Sequence, residues 1–511
     1  MGNILEGIKM ALSINGLLLN IVGVFVGIIF GAVPGLSSIM AIALFLPFTF
    51  GMSSASSMSL LIGLYIGSVS GGLISAILLN IPGTANSIAT TFEGYPMAKK
   101  GEGGKAISNG IIFSFLGGLF SMIILFFVSP ILSDIAIQFT PFDYFAIVIF
   151  SLTMMASLSG GSILKGLMSG LLGMTFTFVG MAPIDAVPRF TFGSTALLGG
   201  FSLLPFMLGT FAVTEVIALA ETVGHEMKGE IISNKLDNLR ISFDDIKSQF
   251  KNFIRSSFIG TGIGILPGIG GGVANLLAYS VAKNRSKHPE KFGTGILDGI
   301  VASESANNAS IGGAMIPLLS LGIPGDATTA LLIGGFIIHG VTPGPLLIMQ
   351  QPTLVYSIFA TLIIANIIML ILEFASLRLF IKLFNIQKAI LLPVILTICV
   401  VGAFGNNNRV FDVILMFIFG IIAYFLKKFE YPIAPMVIGF ILSPLLESNF
   451  RRALMYSNGD LVAFISKPLP VIMFIISIIS LFFPLIKNHR EKARKIKEYH
   501  SQKEIVGSNC K

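Results

Sequence analysis

Stretches of apolar residues recur along this chain, at Ile14 to Val33, Ile107 to Leu132, Phe142 to Leu158, Ala196 to Ala220, Leu354 to Leu372 and Pro468 to Ile486. Each is close to the length of about 20 residues that a helix needs to cross the hydrocarbon of a bilayer. Only 11% of the residues are charged and 54% are hydrophobic, whereas soluble domains carry roughly a quarter charged residues. A water-soluble fold is therefore excluded. The fold class that follows is an all-α polytopic membrane protein of about 11–12 membrane segments.

The formal charge of +8 does not point to nucleic acid, because the basic residues sit in loops between apolar segments, not in a stripe interleaved with aromatics. Their pattern is that of cytoplasmic loops under the positive-inside rule. Four stretches qualify: Lys99, Lys100 and Lys105; the segment Thr222 to Arg255; Lys283, Arg285, Lys287 and Lys291; and the tail from Lys487 onward. Two cysteines, Cys399 and Cys510, allow neither a disulfide framework nor a thiolate metal site. The N-terminal apolar run follows a single Lys9 and lacks a small-x-small cleavage site, so a retained membrane segment is expected.

The polar stretch 222–255 divides the chain near its middle, and each side opens with the same punctuation. Gly31-Ala-Val-Pro34-Gly35 matches Gly264-Ile-Leu-Pro267-Gly268, and Leu79-Asn80-Ile-Pro82-Gly83-Thr84-Ala85 matches Leu321-Gly322-Ile-Pro324-Gly325-Asp326-Ala327. Two matches in the same order at similar displacement indicate a duplication. The basic loop follows the second motif in the first half, but lies between the motifs in the second half; Gly51 to Ser57 and His339 to Pro345 carry no Lys or Arg. Corresponding loops then lie on opposite sides of the membrane, as inverted-topology repeats require. The expected units are an N-terminal membrane repeat at 1–221, a cytoplasmic linker at 222–255, a C-terminal membrane repeat at 256–465, a final crossing at 466–486 and a basic cytoplasmic tail at 487–511.

Proline removes a backbone donor and glycine admits positive φ, so Pro34-Gly35, Pro82-Gly83, Pro267-Gly268 and Pro324-Gly325 are expected to break helices or turn re-entrant hairpins. Irregular backbone at membrane depth survives only when buried in protein or lining a wet cavity. Half-helix N-termini can face an anion, and freed carbonyls can coordinate a cation. Around the second breaks lie small and polar residues: Asn80, Gly83, Thr84, Asn86 and Ser87 in one half, Gly325 and Thr328 in the other, with Asn307 and Asn308 just upstream. These are the candidate substrate ligands, since amides and hydroxyls can donate to a carboxylate and present oxygens to a hard cation. Glu304 and Asp326 are the candidate ion-coupling residues, because acids inside a membrane are costly and usually functional. No firm metal site emerges; carbonyls at the breaks are available to Na+.

Plainer roles fit other residues. Gly71-Gly72 and Gly117-Gly118 suit helix packing. Glu93 is expected near the surface beside a loop cation, an alternative that also applies to Glu304. His339 suits a cap or an interfacial position. Glu373, near Arg378 and Lys382 at a segment end, is expected to form a solvated ion pair.

These motifs together resemble the large membrane subunit of the tripartite tricarboxylate transporter family. The likeness rests on Pro34-Gly35-Leu36, Leu79 to Thr84 continuing to Gly94-Tyr95-Pro96-Met97-Ala98, Ile265 to Gly268, Ser286 to Gly293, Glu304 to Asn308, and Leu321 to Gly325 through His339-Gly340 to Pro343-Gly-Pro345. It runs from about Gly23 to Pro470. The resemblance implies a permease subunit that imports citrate-like tricarboxylates or dicarboxylates across a bacterial cytoplasmic (inner) membrane. It further implies Na+ or H+ as the coupling ion, no cofactor, a small four-helix membrane subunit and a periplasmic solute-binding protein. Ser303 and Ser305 stand where the family pattern has a proline and an alanine, and Asp326 where a small residue is usual.

Two other classes compete. A membrane-embedded enzyme needs a positioned nucleophile, acid–base pair or metal ligands, and the chain has neither His-Glu-x-x-His nor Gly-x-Ser-x-Gly. A channel without gradient coupling is compatible with broken helices, but no repeated filter is present. No Gly-x-x-x-x-Gly-Lys-Ser/Thr loop marks an ATP-driven pump.

Overall fold

The computed structural model of the chain describes residues 2–158, 162–221, 242–383 and 388–482. In chain order, α1 (Gly2–Ala11) leads into α2 (Ile14–Ala32), whose N-terminus is capped by Ser13. A short α3 (Ser38–Phe45), the central α4 (Ser54–Leu79), α5 (Ile88–Lys99) and the long α6 (Gly103–Ala136) follow. Then come α7 (Pro141–Leu158), α8 (Ile163–Phe176), and a two-stranded hairpin of β1 (Gly180–Met181) with β2 (Pro188–Arg189). Next, α9 (Leu203–Met207) and α10 (Thr214–Glu221) are joined by a π turn into one span. The second half holds α11 (Phe243–Ile265), α12 (Gly270–Arg285), α13 (Leu297–Leu321), α14 (Ala327–Ile338), α15 (Leu347–Gln350), α16 (Pro352–Leu383), α17 (Lys388–Asn407), α18 (Val410–Lys428) and α19 (Ile433–Tyr456). A last apolar helix, α20, runs over Pro468–Phe482.

Among the described residues, seven helices are long and apolar enough to cross a membrane, and six shorter apolar helices accompany them. The chain is a polytopic, all-helical membrane protein apart from the small hairpin. Helix α11 begins at Phe243, inside the charged stretch expected to act as a linker; 222–241 and the basic tail lie outside the described residues.

Lipid tails offer helices no hydrophobic reward for associating, so close backbone approach must hold them together. The α2–α4 pair does this with glycines every fourth residue on both partners. A Cβ added at Gly27 would lie 2.6 Å from the Leu64 carbonyl oxygen and 2.9 Å from the Ser68 nitrogen; one at Gly63 would lie 2.7 Å from the Asn20 carbonyl oxygen. Gly71 continues the seam against Ile28, and Gly117 and Gly118 let α6 approach α13 and Asn366 of α16. Packing is thus what both glycine pairs supply. The apolar window of α4 is wholly buried in protein, and α13 is buried along nearly its full length. These two helices form the axis around which the breaks gather. Gly27→Ala should cost about 1–3 kcal/mol through overpacking and lower the thermal unfolding midpoint of the detergent-solubilised protein; an unchanged midpoint would mean the seam is not tight.

Candidate functional site

Each of the four Pro-Gly motifs interrupts a helix, and the two second breaks are built alike. Helix α4 ends on Asn80 at φ +57° and α13 ends on Gly322 at φ +73°. Both occupy the left-handed region, which Gly and, among other residues, Asn tolerate best. Asn80 therefore has a backbone reason for its place, and its side chain is exposed. Four residues after each cap a polar residue restarts the chain. Thr84 Oγ1 accepts from Asn86 N at 3.3 Å while Ser87 Oγ accepts from Thr84 N at 3.4 Å. At the matching position, Asp326 Oδ1 accepts from Thr329 N at 2.6 Å and Thr329 Oγ1 accepts from Asp326 N at 2.9 Å. These are capping boxes, each satisfying amides that a helix start leaves free.

Glycines then press the breaks onto the neighbouring helix. A Cβ at Gly83 would collide with the Gly31 carbonyl oxygen, and one at Gly325 would lie 2.6 Å from the Gly264 carbonyl oxygen. Gly31 and Gly264 occupy matching places in the first motifs. Gly268 N donates to the Gly325 carbonyl at 2.8 Å, tying the two breaks of the second half together. Gly268 itself sits at φ +78° and Gly35 at φ +94°.

The breaks also meet across the halves. Asn275 of α12 accepts from Ala89 N of α5 at 2.8 Å and donates to the Ser303 carbonyl of α13 at 3.3 Å. A Cβ at Gly271 would lie 2.8 Å from Asn307 Oδ1, 2.8 Å from Ser310 Oγ and 3.0 Å from Asn86 Nδ2; one at Gly272 would lie 3.1 Å from the Ala85 carbonyl oxygen. So Asn86, Asn307, Ser310 and the Gly270-Gly271-Gly272 turn share one small space. Of the four half-helices that follow breaks, α3, α5 with its leading turn, and α14 start under the side-chain caps Ser37, Thr84 and Asp326. Helix α12 starts with three glycines and no side-chain cap. Its first-turn amides have no side-chain acceptor, and a helix start of this kind favours negative charge nearby.

The expected site residues separate into roles. Glu304 is fully buried; Thr90 Oγ1 donates to one carboxylate oxygen and Ser114 Oγ to the other at 3.0 Å. Among the described residues no loop cation pairs with it. Asn307 donates to the Val69 carbonyl at 3.2 Å and Asn308 to the Glu304 carbonyl at 3.2 Å. A flipped amide would set oxygen against oxygen, so these bonds orient both side chains and leave both Oδ1 atoms buried without a partner. Asp326 gives its second oxygen to Tyr65, whose hydroxyl donates at 2.7 Å. Thr328 is buried beside this cap. Pro34, Pro82, Pro267 and Pro324 all fall between helices.

Two expectations are corrected. Glu93 is fully buried and takes no cation; it accepts from Tyr279 Oη at 2.7 Å, Gly295 N at 2.7 Å and Ile296 N at 3.0 Å, and from Gly293 N. Backbone amides of the 293–296 turn satisfy its oxygens in place of a lysine. Glu373 is also fully buried and not in a solvated ion pair. Arg378 is five residues on, about 140° around the helix, and exposed. His339 ends α14 as a cap and bonds Thr49 Oγ1 through Nε2 at 3.0 Å. Sequence reasoning passed over Gly271, Gly272, Asn275 and Tyr65; the run of glycines directly after Pro267-Gly268-Ile269 was a usable signal.

A bundle of broken helices whose ends meet around buried amides and a carboxylate is a construction used by membrane transport proteins. The chain matches the Tripartite tricarboxylate transporter TctA family over residues 17–438, and it belongs to that family. It is 35% identical over 494 residues to an uncharacterized 52.8 kDa protein in the TAR-I ttuC' 3'region of Agrobacterium vitis, covering 97% of this chain and 98% of that protein. A second Agrobacterium vitis protein, uncharacterized and in the TAR-II ttuC' 3'region, is 38% identical over 237 residues, which cover 46% of this chain and 98% of the relative. No solved structure matches. The protein is thus a transporter subunit of a system with further subunits.

The cap assignment is testable without substrate. Asp326→Ala should cost about 1–2 kcal/mol through the lost cap and lower the unfolding midpoint, whereas Asp326→Asn, a good cap, should retain most of it. Equal loss in both variants would remove capping as the role of this residue.

Proposed function

We propose that this chain is the permease subunit of a binding-protein-dependent secondary transporter that imports carboxylates, tricarboxylates of the citrate type or dicarboxylates, into a bacterial cell across its inner membrane. The observation that carries this reading is the uncapped glycine turn of α12 lying against Asn86 of the other half. Bare amides and the Asn86 Nδ2 group are donors suited to a carboxylate. The free Oδ1 of Asn307 suits a substrate hydroxyl or a cation. Asn80, Gly83, Thr84, Ser87, Gly325 and Thr328 act in this proposal through the shape and capping of the breaks, with Asn86 and Asn307 closest to the solute.

The two halves act as inverted repeats, with alternating access arising when one moves against the other. Matching caps at Thr84 and Asp326 and matching glycine contacts at Gly83 and Gly325 support the duplication. The sidedness reading is supported by the ends of the helices. Lys105 pairs with Asp245 at 3.4 Å, and Gln249 bonds Asp298 at 3.1 Å, so the segments of the first three basic stretches lie at one end of the molecule, which we assign to the cytoplasm. The opposite end then carries the hairpin, where Arg189 is bonded to Glu447 at 2.8 and 3.1 Å. A periplasmic solute-binding protein and a small four-helix membrane subunit complete the system, with Na+ or H+ as the coupling ion through Glu304 and Asp326. Asp326→Asn, which keeps the cap, should alter the sodium or pH dependence of uptake, and an unaltered profile would count against Asp326 as a coupling ligand.

Uptake into vesicles carrying the assembled system tests the site. Asn86→Ala and Asn307→Ala should each raise the half-saturating carboxylate concentration by about 10- to 100-fold, the equivalent of roughly 1–3 kcal/mol. Gly271→Ala, which fills the shared space, should abolish uptake, while Gly262→Ala, where a Cβ meets nothing within 4 Å, should not. Normal uptake by Gly271→Ala would contradict the proposal.

A further inference from the structure

Among the described residues six carboxylates are buried: Glu93, Asp143, Glu304, Asp326, Glu373 and Asp412. Five have donors. Glu93 has three backbone amides and Tyr279, Asp143 has Thr140, Glu304 has Thr90 and Ser114, Asp326 has Thr329 and Tyr65, and Asp412 has Arg409 and Asn407. Both oxygens of Glu373 have no hydrogen-bond partner, at 0% exposure. Ser70 of α4 places its hydroxyl beside Glu373 without completing a normal hydrogen bond, and Ser70 Oγ is likewise unpartnered and fully buried. The carboxyl of Glu304 is near enough to interact with Glu373 through space.

Among the described residues no cation is paired with either carboxylate. The helices packed on α16 are α1, α2, α4, α6 and α15. Their titratable groups are Glu6 and Lys9, both exposed on α1, Tyr65 of α4, which is bonded to Asp326, and Lys105 and Asp134 near the two ends of α6. Helices α2 and α15 have none. On α16 itself Arg378 is exposed, and Tyr356 lies among the aromatic rings of Phe126 and Phe359; Lys382 is nine residues from Glu373, about half a turn round the helix. Two carboxylates that share a water-poor interior cannot both stay ionised and uncompensated. A third feature lies on the same face as Glu304: Asn307 and Asn308, three and four residues on, hold buried Oδ1 atoms without a hydrogen-bond partner.

We propose that Glu373 is the carboxylate of a monovalent-cation site where α16 crosses α4, occupied by H+ or Na+, with Ser70 Oγ as a second ligand and Glu304 as the neighbouring charge that sets occupancy. The inference rests on the ion-coupled reading above and assigns its cation to a residue outside the substrate space. Occupancy neutralises the Glu373 side; an empty site leaves Glu373 of α16 and Glu304 of α13 both negative, a repulsion relieved when α16 withdraws from the α4–α13 axis on which it packs. Release of the cation would in this way loosen the helix that carries Gly63, Gly67 and the break at Pro82.

The test uses the purified full-length protein in detergent, with no carboxylate substrate. Radiolabelled Na+ binding is measured across pH, together with the infrared band of protonated carboxyl groups. If the ion is Na+, wild type binds it saturably, protons compete, and Glu373→Gln weakens binding by about tenfold or more. If the ion is H+, saturable Na+ binding is absent, wild type shows the protonated-carboxyl band, and Glu373→Gln removes it. Should Glu373→Gln fail to fold, Ser70→Ala carries the test, by weakening Na+ binding or shifting the frequency of the band. Wild type with neither signal, or variants that keep wild-type signals, would overturn the proposal. A chain that shows the cation signal but moves no carboxylate would defeat the transport reading alone.

Discussion

A helix broken inside hydrocarbon must find partners for every amide and carbonyl it frees, and this requirement organises the molecule. Asn80 and Gly322 end their helices in left-handed conformation, Thr84 and Asp326 restart them under capping boxes, and Gly83 and Gly325 seat the breaks on the carbonyls of Gly31 and Gly264. Where that satisfaction is complete, the structure is scaffold. It is incomplete at the glycine turn of α12, at the Oδ1 atoms of Asn307 and Asn308, and at Glu373. Each of these has a physical reason to hold something that is not part of the chain.

Because both second breaks follow the same plan, their differences carry information. Thr84 is a neutral cap and Asp326 a charged one, and the added charge is met by Tyr65 from the other half. The acid thus links α14 to α4, the helix that also supplies Ser70 and the Val69 carbonyl bonded by Asn307. The first breaks differ in another way: Ser37 caps α3, while Gly270 to Gly272 leave α12 open. The two first breaks are thus unlike, one capped by a side chain and one open.

Much of this was legible from residue order, because Pro-Gly inside an apolar run has few structural outcomes. The breaks, the duplication signal and the burial of Glu304, Asn307 and Asn308 all came from that reasoning. Contacts between distant segments were not legible. Tyr65 with Asp326, Ala89 with Asn275, and Glu93 with the 293–296 turn join residues far apart in sequence, and no local pattern announces them. Glu373 is a different case. Arg378 and Lys382 are close in sequence, yet five and nine residues place them on the opposite side of a helix, so helical spacing already argued against an ion pair. Charge near the start of α11 similarly concealed a helix whose inner face carries Phe253, Ser256 and Gly260.

The central claim is that half-helix ends from the two halves enclose a space open to water and occupied by the solute. The most direct measurement introduces Asn86→Cys into a chain with Cys399 and Cys510 replaced by serine, and follows its alkylation by a membrane-impermeant maleimide in reconstituted vesicles. The account predicts that labelling proceeds from the aqueous phase and slows when a carboxylate the vesicles accumulate is present at saturation, while Phe192→Cys, in the exposed hairpin segment, reacts at the same rate with or without it. Equal rates at position 86 with and without that carboxylate would contradict it.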